Sequence, residues 1–292
     1  MGSMREIKHR ITATQKTSQI TKAMHMVSAS KLKKAERSIR AFRPLTEHLS
    51  DVISRVISSD IDLTHPMLEA RDTKKTVYII ISSDRGLAGP YNAMIFKAFE
   101  AYVKKQHKAK SEFVVAALGY KAFSFAKRKG YPLMLDHSIQ VRDDVQFLDF
   151  QELSDRFIKA YLSGEVDQII VFYNKFINTM NQKVEYQILV PIEHNPTIET
   201  KPKAGLNIMY HYEPSASTVL INLMPMYVVN MLYGMILEAK ASEHAARMTA
   251  MKSATDNAKD LVRTLQLHYN RARQDAITIE LTDIIGGANA VN

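Results

Sequence analysis

The first forty residues carry small or apolar side chains at gaps that alternate four and three without a break. This is the heptad spacing of a coiled-coil seam, and residues 4–43 contain neither glycine nor proline. The pattern predicts one long helix that needs a partner along this face. The predicted seam consists of Ile7, Ile11, Thr14, Ser18, Thr21, His25, Ser28, Leu32, Ala35, Ile39 and Phe42.

The middle of this seam is polar where a strong zipper would carry leucine, and a second apolar stripe lies beside it. The second stripe consists of Ile20, Met24 and Val27. Because one partner helix would cover only the seam, the two stripes together predict more than one neighbour for this helix.

A second long helix is predicted near the other end of the chain, where residues 226–285 contain no proline and a single glycine. Small residues at helical spacing allow a partner helix to approach closely. Since neither long helix can bury its seam on a small domain, we expect the two to pair in antiparallel fashion and to project outward. The predicted seam consists of Ala246, Ala250, Ala254, Ala258, Leu261, Leu265 and Ala272.

Between these helices, short β-rich apolar runs alternate with helical patterns, which predicts a mostly parallel sheet covered by helices. Strands are expected at 76–82, 113–118 and 167–173, an alternating edge strand at 183–192, and helices at 93–105, 120–129 and 150–163.

The predicted fold class is therefore α/β, with a long antiparallel coiled coil of the N- and C-terminal helices and a central Rossmann-like α/β domain. The predicted divisions are residues 1–66 for the N-terminal helix, 67–213 for the central domain and 214–292 for the C-terminal helix.

One apolar segment has two interpretations. Residues 218–237 carry no charge over 20 positions, which is long enough to span a membrane. The segment also contains Asn222, Pro225 and Asn230, and unpaired amides are costly in lipid. A helix buried against the sheet is the preferred interpretation, and a membrane span is the alternative.

Charge is concentrated in the first helix. Residues 4–43 hold eleven lysines and arginines against two glutamates, an excess that equals the net charge of +9 for the whole chain. The partner of such a helix should be acidic, which leaves nucleic acid, a membrane surface, an acidic protein or a solvated face as possibilities. The chain has no cysteine, which excludes disulfides and thiolate chemistry and favours a reducing compartment.

The stretch SSDRGLAGPYN at residues 82–92 resembles a phosphate-binding loop between a strand and a helix. A phosphate loop would place lysine after its second glycine, but Gly89 is followed by Pro90, which also lacks a backbone N–H. Asp84 adds negative charge. A tight turn with Asn92 capping the next helix is the favoured interpretation, and an α/β nucleotide-binding enzyme is the alternative.

Four stretches resemble the gamma subunit of F-type ATP synthases. They are ITKAMHMVSASKLKKAE at 20–36, SSDRGLAGPYN at 82–92, NKFINTM at 174–180 and ITIELTDIIGGANA at 277–290. The resemblance covers essentially the whole chain in order. The plastid form of the family carries an inserted cysteine pair, and this chain has none.

The resemblance implies a central rotor shaft that is not itself catalytic and binds no cofactor, since ATP, ADP and magnesium belong to the partner subunits. It implies a ring of three alpha and three beta subunits around the coiled coil. It also implies an epsilon subunit and a membrane c-ring at the foot, no nucleic-acid partner, and a place on the cytoplasmic face of the bacterial membrane.

Seven residues match the family's contact positions. The resemblance implies that Lys22 and Met24 lie near an acidic loop of beta and that Arg273 and Gln274 contact beta higher up the shaft. The c-ring and epsilon contacts that it implies are Tyr210, Tyr212 and Glu213.

Overall fold

The computed structural model describes residues 4–59, 65–192, 212–213 and 215–291, and the chain forms two compact units. The coiled-coil unit comprises Met1–Ala29 and Arg247–Asn292, and the sheet unit comprises Ser30–Ala246. Helix α1 (Met4–Ser59) and helix α5 (Ala216–Val291) each contribute to both units. The unit boundaries therefore fall inside the two long helices, while the predicted divisions follow the ends of secondary-structure elements and stay a prediction.

The sheet unit contains a mixed four-stranded sheet with the strand order β2-β1-β3-β4 in the described residues. Strand β1 is parallel to both of its neighbours, and β4 is an edge strand, as the sequence pattern predicts. The structure adds that β4 pairs antiparallel with β3. The strands are β1 (Thr76–Ile81), β2 (Phe113–Leu118), β3 (Gln168–Phe176) and β4 (Gln182–Val190).

Both faces of this sheet are covered, because alternate residues of β1 enter two different cores. Tyr78 and Ile80 pack with residues of α2 and α3, whereas Val77, Ile79 and Ile81 pack with α4 and with parts of the two long helices. The three predicted helices of this region are confirmed as α2 (Tyr91–Gln106), α3 (Tyr120–Lys129) and α4 (Phe147–Leu162).

The uncharged segment 218–237 lies in α5, and its regularly spaced side chains Leu220, Met224, Val228 and Leu232 are buried in the core beneath the sheet. Among the described helices, α5 is long and apolar enough over residues 216–286 to span a membrane, judged by length and composition alone. In its most apolar stretch, 44% of the residues are buried inside the protein. The segment therefore packs as a core helix of the sheet unit.

In the coiled-coil unit, the N-terminal seam is confirmed: Ile11, Thr21 and Ser28 are buried, and the intervening seam positions are half-buried. On α5 the seam prediction is partly wrong, since Leu261 is half exposed and Val262 takes the seam position instead. An α-helix has about 3.6 residues per turn, so positions that are four residues apart do not stay on one face. The predicted alanines at successive steps of four therefore move away from the seam. The observed α5 seam consists of Met251, Thr255, Ala258, Val262, Leu265, Tyr269 and Ala272.

Candidate functional site

The glycine loop uses its polar groups to hold the sheet unit together. The Ser82 hydroxyl accepts a hydrogen bond from the backbone N–H of Ala122 at 2.8 Å. The Asp84 carboxylate accepts from the N–H of Tyr120 at 2.9 Å and from that of Val141 at 3.2 Å. Amides in the first turn of α3, which could hold an anion, are thus engaged by the protein's own side chains.

Asn92 does not cap α2, so that prediction is wrong. The helix begins after Pro90, which has no side-chain capping bond. The Asn92 carbonyl oxygen instead accepts from the N–H of Ser83 at 3.1 Å, and its amide donates to the Ser83 hydroxyl at 2.7 Å. Asn92 therefore fastens the helix back to the end of β1, because the turn brings these two segments side by side.

The proposed contact residues of the coiled-coil unit lie at two levels. Lys22 is exposed and Met24 is half-buried, while Arg273 and Gln274 are both exposed. Thr21 and Thr255 are hydrogen-bonded across the seam, so in an antiparallel pair Lys22 lies level with position 254. Arg273 is 19 positions farther along α5, or about 28 Å. The structure therefore separates the two predicted contact pairs.

Large apolar side chains are exposed at both levels. Around Met24, the side chains of Ile20, Met26 and Val27 are 61%, 56% and 53% exposed. Beyond Arg273, five apolar side chains of α5 are between 48% and 62% exposed. The described part of α1 starts at Met4, which lies level with about position 272, so these side chains lie beyond the described part of α1. These five side chains are Ile277, Ile279, Leu281, Ile284 and Ile285.

The predicted foot contacts are only partly described. Tyr212 is half-buried and packs against the core under the sheet, and Glu213 is exposed. Tyr210 lies outside the described residues.

A buried ion cluster, which the sequence patterns do not predict, links three parts of the sheet unit. It consists of Lys31 on α1, Asp143 before α4, and Lys240, Glu243 and His244 on α5. Lys31 Nζ lies 2.6 Å from Asp143 Oδ2, while Lys240 Nζ and His244 Nε2 lie 3.4 Å from Asp143 Oδ1. One carboxylate thus binds both long helices.

Lysine 240 is the most enclosed cation of this cluster. Its ammonium group also lies 2.9 Å from Glu243 Oε2 and donates to the Val141 carbonyl oxygen at 3.0 Å. The side chains of Lys240 and Glu243 are 6% and 4% exposed, so neither charge is solvated by bulk water. Such charges are tolerated in an interior when they are paired and hydrogen-bonded.

We expect acid to lower the stability of the sheet unit, because Asp143 becomes protonated. Burial acts to raise the pKa of this carboxyl, but the hydrogen bond from Lys31 and the charges of Lys240 and His244 outweigh it and hold the pKa at about 2. A depressed folded-state pKa stabilises the fold above the ordinary value of 3.8, and this contribution is lost as the pH falls from about 4 toward 2. Because Asp143 is half exposed, we expect about 1 kcal/mol after solvent screening.

Urea unfolding at a series of pH values measures this contribution. The variant Asp143→Asn should show a shallower loss of unfolding free energy between pH 4 and pH 2. Equal slopes for the two proteins would contradict the assignment of this acid sensitivity to Asp143.

A second buried acid, Glu238 on α5, is expected to cost stability. Its Oε2 is buried without a hydrogen-bond partner among the described residues, and burial raises the pKa of its carboxyl despite the charges of Lys175 and Arg43. A raised folded-state pKa means that stability is lost as the pH rises above 4.5. We therefore expect Glu238→Gln to raise the free energy of unfolding by about 1 kcal/mol at pH 7.

The gain from Glu238→Gln should vanish below pH 4, where the carboxyl of the parent protein is protonated in both states. The control is Glu280→Gln on an exposed face of α5, and it should leave stability unchanged at both pH values. A loss of stability in Glu238→Gln at pH 7 would show that the charged carboxylate is stabilised by its surroundings.

The comparisons with known proteins agree along the full length of the chain. Residues 3–291 match a family model described as ATP synthase. The chain is 44% identical over 291 residues to the ATP synthase gamma chain of an Exiguobacterium species, and 40% identical to that of Staphylococcus saprophyticus. In both cases 100% of each chain is covered.

Solved structures share the fold at lower identity. A chain from the central stalk and c-ring of the Tetrahymena thermophila mitochondrial ATP synthase superposes with a TM-score of 0.61 at 24% identity, covering 80% of this chain and 99% of that one. A chain of the Euglena gracilis mitochondrial ATP synthase gives a TM-score of 0.66 at 17% identity, covering 99% and 94%. The combination of a mixed sheet and two long paired helices is therefore common to these proteins.

The mixed sheet and the two long helices define the fold class that this chain shares with chains of the central stalk and rotor of ATP synthases. The matches over the whole length then show the particular family: the chain belongs to the ATP synthase gamma chains. It is a non-catalytic central-stalk subunit of an F-type ATP synthase, and its complex is associated with a membrane.

Proposed function

We propose that the coiled-coil unit turns inside a ring of three alpha and three beta subunits, with the sheet unit standing on a membrane c-ring beside an epsilon subunit. The exposed apolar end of α5 carries this proposal, since five large apolar side chains there are exposed among the residues that the structure describes. Apolar side chains of this kind can turn inside an apolar sleeve without making or breaking ion pairs. Exposed apolar patches of this kind mark contact surfaces.

In this arrangement, ion flow turns the c-ring and the shaft together, and the shaft drives the beta subunits through their catalytic states. ATP, ADP and magnesium are bound by those partners and not by this chain. The engagement of the α3 amides by Ser82 and Asp84 supports this part of the proposal, because these N–H groups beside the glycine loop are then not available to a phosphate. The complex stands on the cytoplasmic face of a bacterial membrane.

The residue contacts follow the same arrangement. Lys22 and Met24 meet an acidic loop of beta, and Arg273 and Gln274 contact beta about 28 Å farther along the shaft. Tyr210, Tyr212 and Glu213 rest on the c-ring or on epsilon. The exposure of Lys22, Arg273 and Gln274 supports these roles, since each side chain is available to a partner.

The upper contact is tested by replacing Arg273 and Gln274 with alanine, singly and together, in the assembled complex. Neither side chain has a hydrogen bond or ion pair within the described residues, so the chain should remain folded. Loss of charged hydrogen bonds to beta should weaken the interaction by about 1–3 kcal/mol and lower both ATP hydrolysis and torque.

The control for this experiment is Arg263→Ala, which removes the same kind of side chain from another exposed position of α5. Circular dichroism and urea unfolding would show that all variants fold alike. If the alanine variants at 273 and 274 match the parent protein in hydrolysis and torque, these residues do not make the proposed contact.

A further inference from the structure

We infer that Asp143 is a positioning residue that transmits torque from the sheet domain to both long helices. The inference rests on the proposed function, because torque passes between the sheet domain and the two helices through Asp143 only if the sheet unit is driven by a membrane ring. We call the contacts of Asp143 with the two helices the joint. The described segment between α3 and α4 provides the carboxylate, and each helix provides a cation to it. The joint therefore consists of one acid held by two elements that must turn together.

The geometry divides the carboxylate between the two helices. Oδ2 accepts from Lys31 Nζ of α1 at 2.6 Å, and Oδ1 faces Lys240 and His244 of α5 at 3.4 Å. Because the two oxygens are rigidly joined, a rotation of either helix about its own axis would lengthen one set of contacts. A hydrogen-bonded ion pair resists such a rotation because its strength depends on the direction of the donor toward the acceptor. The attraction between apolar side chains has no such dependence on direction.

The two helices depend on this carboxylate to different extents. Helix α5 has several other polar bonds to the sheet domain near this level: the Tyr91 hydroxyl donates to the Ala239 carbonyl oxygen, and the Ser242 hydroxyl donates to that of Asn174. Within the described residues, the polar contacts of α1 with the sheet unit at this level are thus two ion pairs, which join Lys31 to Asp143 and Lys34 to Asp144.

The neighbouring pair provides a matched control within the same segment. Lys34 Nζ lies 2.7 Å from Asp144 Oδ1, but these side chains are 66% and 67% exposed. Lys31 and Asp143 are 40% and 43% exposed, and the carboxylate is shared with the buried Lys240. Solvent screens the exposed pair, so it should hold α1 only weakly.

The experiment compares Lys31→Met and Lys34→Met in the membrane-bound complex. Methionine keeps a long apolar side chain and removes the charge together with the hydrogen-bond donors of the ammonium group. The measurement is the ratio of ATP-driven ion pumping to ATP hydrolysis, together with hydrolysis by the detached catalytic ring carrying the same rotor. Torque crosses the joint during pumping but not in the detached ring. Comparing the two measurements therefore separates a positioning role from a merely structural one.

We expect Lys31→Met to lower the pumping-to-hydrolysis ratio by about threefold, a change equivalent to about 0.6 kcal/mol. Hydrolysis by the detached ring should stay unchanged, and Lys34→Met should match the parent protein. Asp143→Asn should lower the ratio further, because it releases both helices, and Asp143→Glu should restore part of it.

Unchanged pumping ratios for Lys31→Met and Asp143→Asn would overturn the inference. A parallel loss of pumping and of detached-ring hydrolysis would also overturn it, since that result indicates general damage to the fold. Failure of the parent chain itself to support pumping would instead contradict the proposed function, so the two failures are distinguishable.

Discussion

Replacing Gly119 with alanine should lower the free energy of unfolding by about 3–5 kcal/mol, which is a large fraction of the stability of an ordinary domain. Gly119 links β2 to α3 with a φ of 94°, a backbone conformation that side chains disfavour. A Cβ there would lie 2.3 Å from the carbonyl oxygen of Ser82 and 2.8 Å from its hydroxyl oxygen. Steric overlap with the backbone and an unfavourable φ therefore act together.

Neither side of this contact can move without losing hydrogen bonds. The N–H of Ser82 donates to the Leu118 carbonyl oxygen at 2.8 Å, and the N–H of Gly119 donates to that of Ile139 at 2.8 Å. The Ser82 hydroxyl also accepts from Ala122 in the first turn of α3. A shift that relieved the overlap would thus disturb the end of β1, the start of α3 and the segment leading to Asp143.

The matched control is Gly86→Ala in the glycine loop, where nothing lies within 4 Å of an added Cβ. Urea unfolding of both variants, followed by far-ultraviolet circular dichroism, measures the difference. Gly86→Ala should change the unfolding free energy by less than about 1 kcal/mol. Equal stability of the two variants would mean that the β2–α3 junction is less rigid than its hydrogen bonds indicate.

The second large effect is expected for Lys240→Met, which should cost about 3–5 kcal/mol. The substitution removes the ammonium group from Glu243 at 2.9 Å, from Asp143 at 3.4 Å and from the Val141 carbonyl oxygen. Glu243 is 4% exposed, so water does not replace the lost cation. The cost comes mainly from the charge that stays behind, and it exceeds the net value of the original pair.

This origin of the cost is tested by a double variant. Adding Glu243→Gln to Lys240→Met removes the remaining charge, so it should recover a large part of the lost stability. The control for the single change is Lys259→Met. Lys259 Nζ lies 3.4 Å from Asp256 Oδ1, and both side chains are more than half exposed. Its cost should stay below about 1 kcal/mol. A Lys240→Met cost equal to that of the control would show that the buried ion pair contributes little.

Periodicity in the sequence predicts most of the fold because each element buries one recurring face. The strands and helices of the sheet unit lie within a few residues of their predicted positions, and the polar N-terminal seam is buried as its spacing requires. The errors concern single residues whose environment depends on neighbours in space. Leu261 lies beside the seam, and Asn92 binds Ser83 instead of capping its own helix.

The buried ion cluster is missed for the same physical reason. Lys31, Asp143 and Lys240 are about a hundred residues apart in the chain, and local spacing carries no information on such encounters. The sequence nevertheless contains one indication of this cluster. In α5, small residues surround three ionisable ones, Lys240, Glu243 and His244, and the other face of the helix is apolar. A charged group in such a setting needs a partner, since an unpaired charge in an interior is costly.

The contact positions on the coiled coil remain predictions of a different kind. Their exposure is visible in the structure, but their partners belong to other chains, so only the assembled complex can test them. Lys22 and Arg273 are informative here, because they lie at levels about 28 Å apart and should affect different contacts with the ring.

The most direct test of the rotor assignment is reconstitution of the purified chain with a ring of alpha and beta subunits from a related ATP synthase. A bead attached to the sheet unit reports rotation while ATP hydrolysis is measured in the same preparation. We predict that the chain alone hydrolyses no ATP and that its addition to the ring produces unidirectional rotation coupled to hydrolysis. Folded chain that joins the ring without producing rotation, or that hydrolyses ATP by itself, would contradict the assignment.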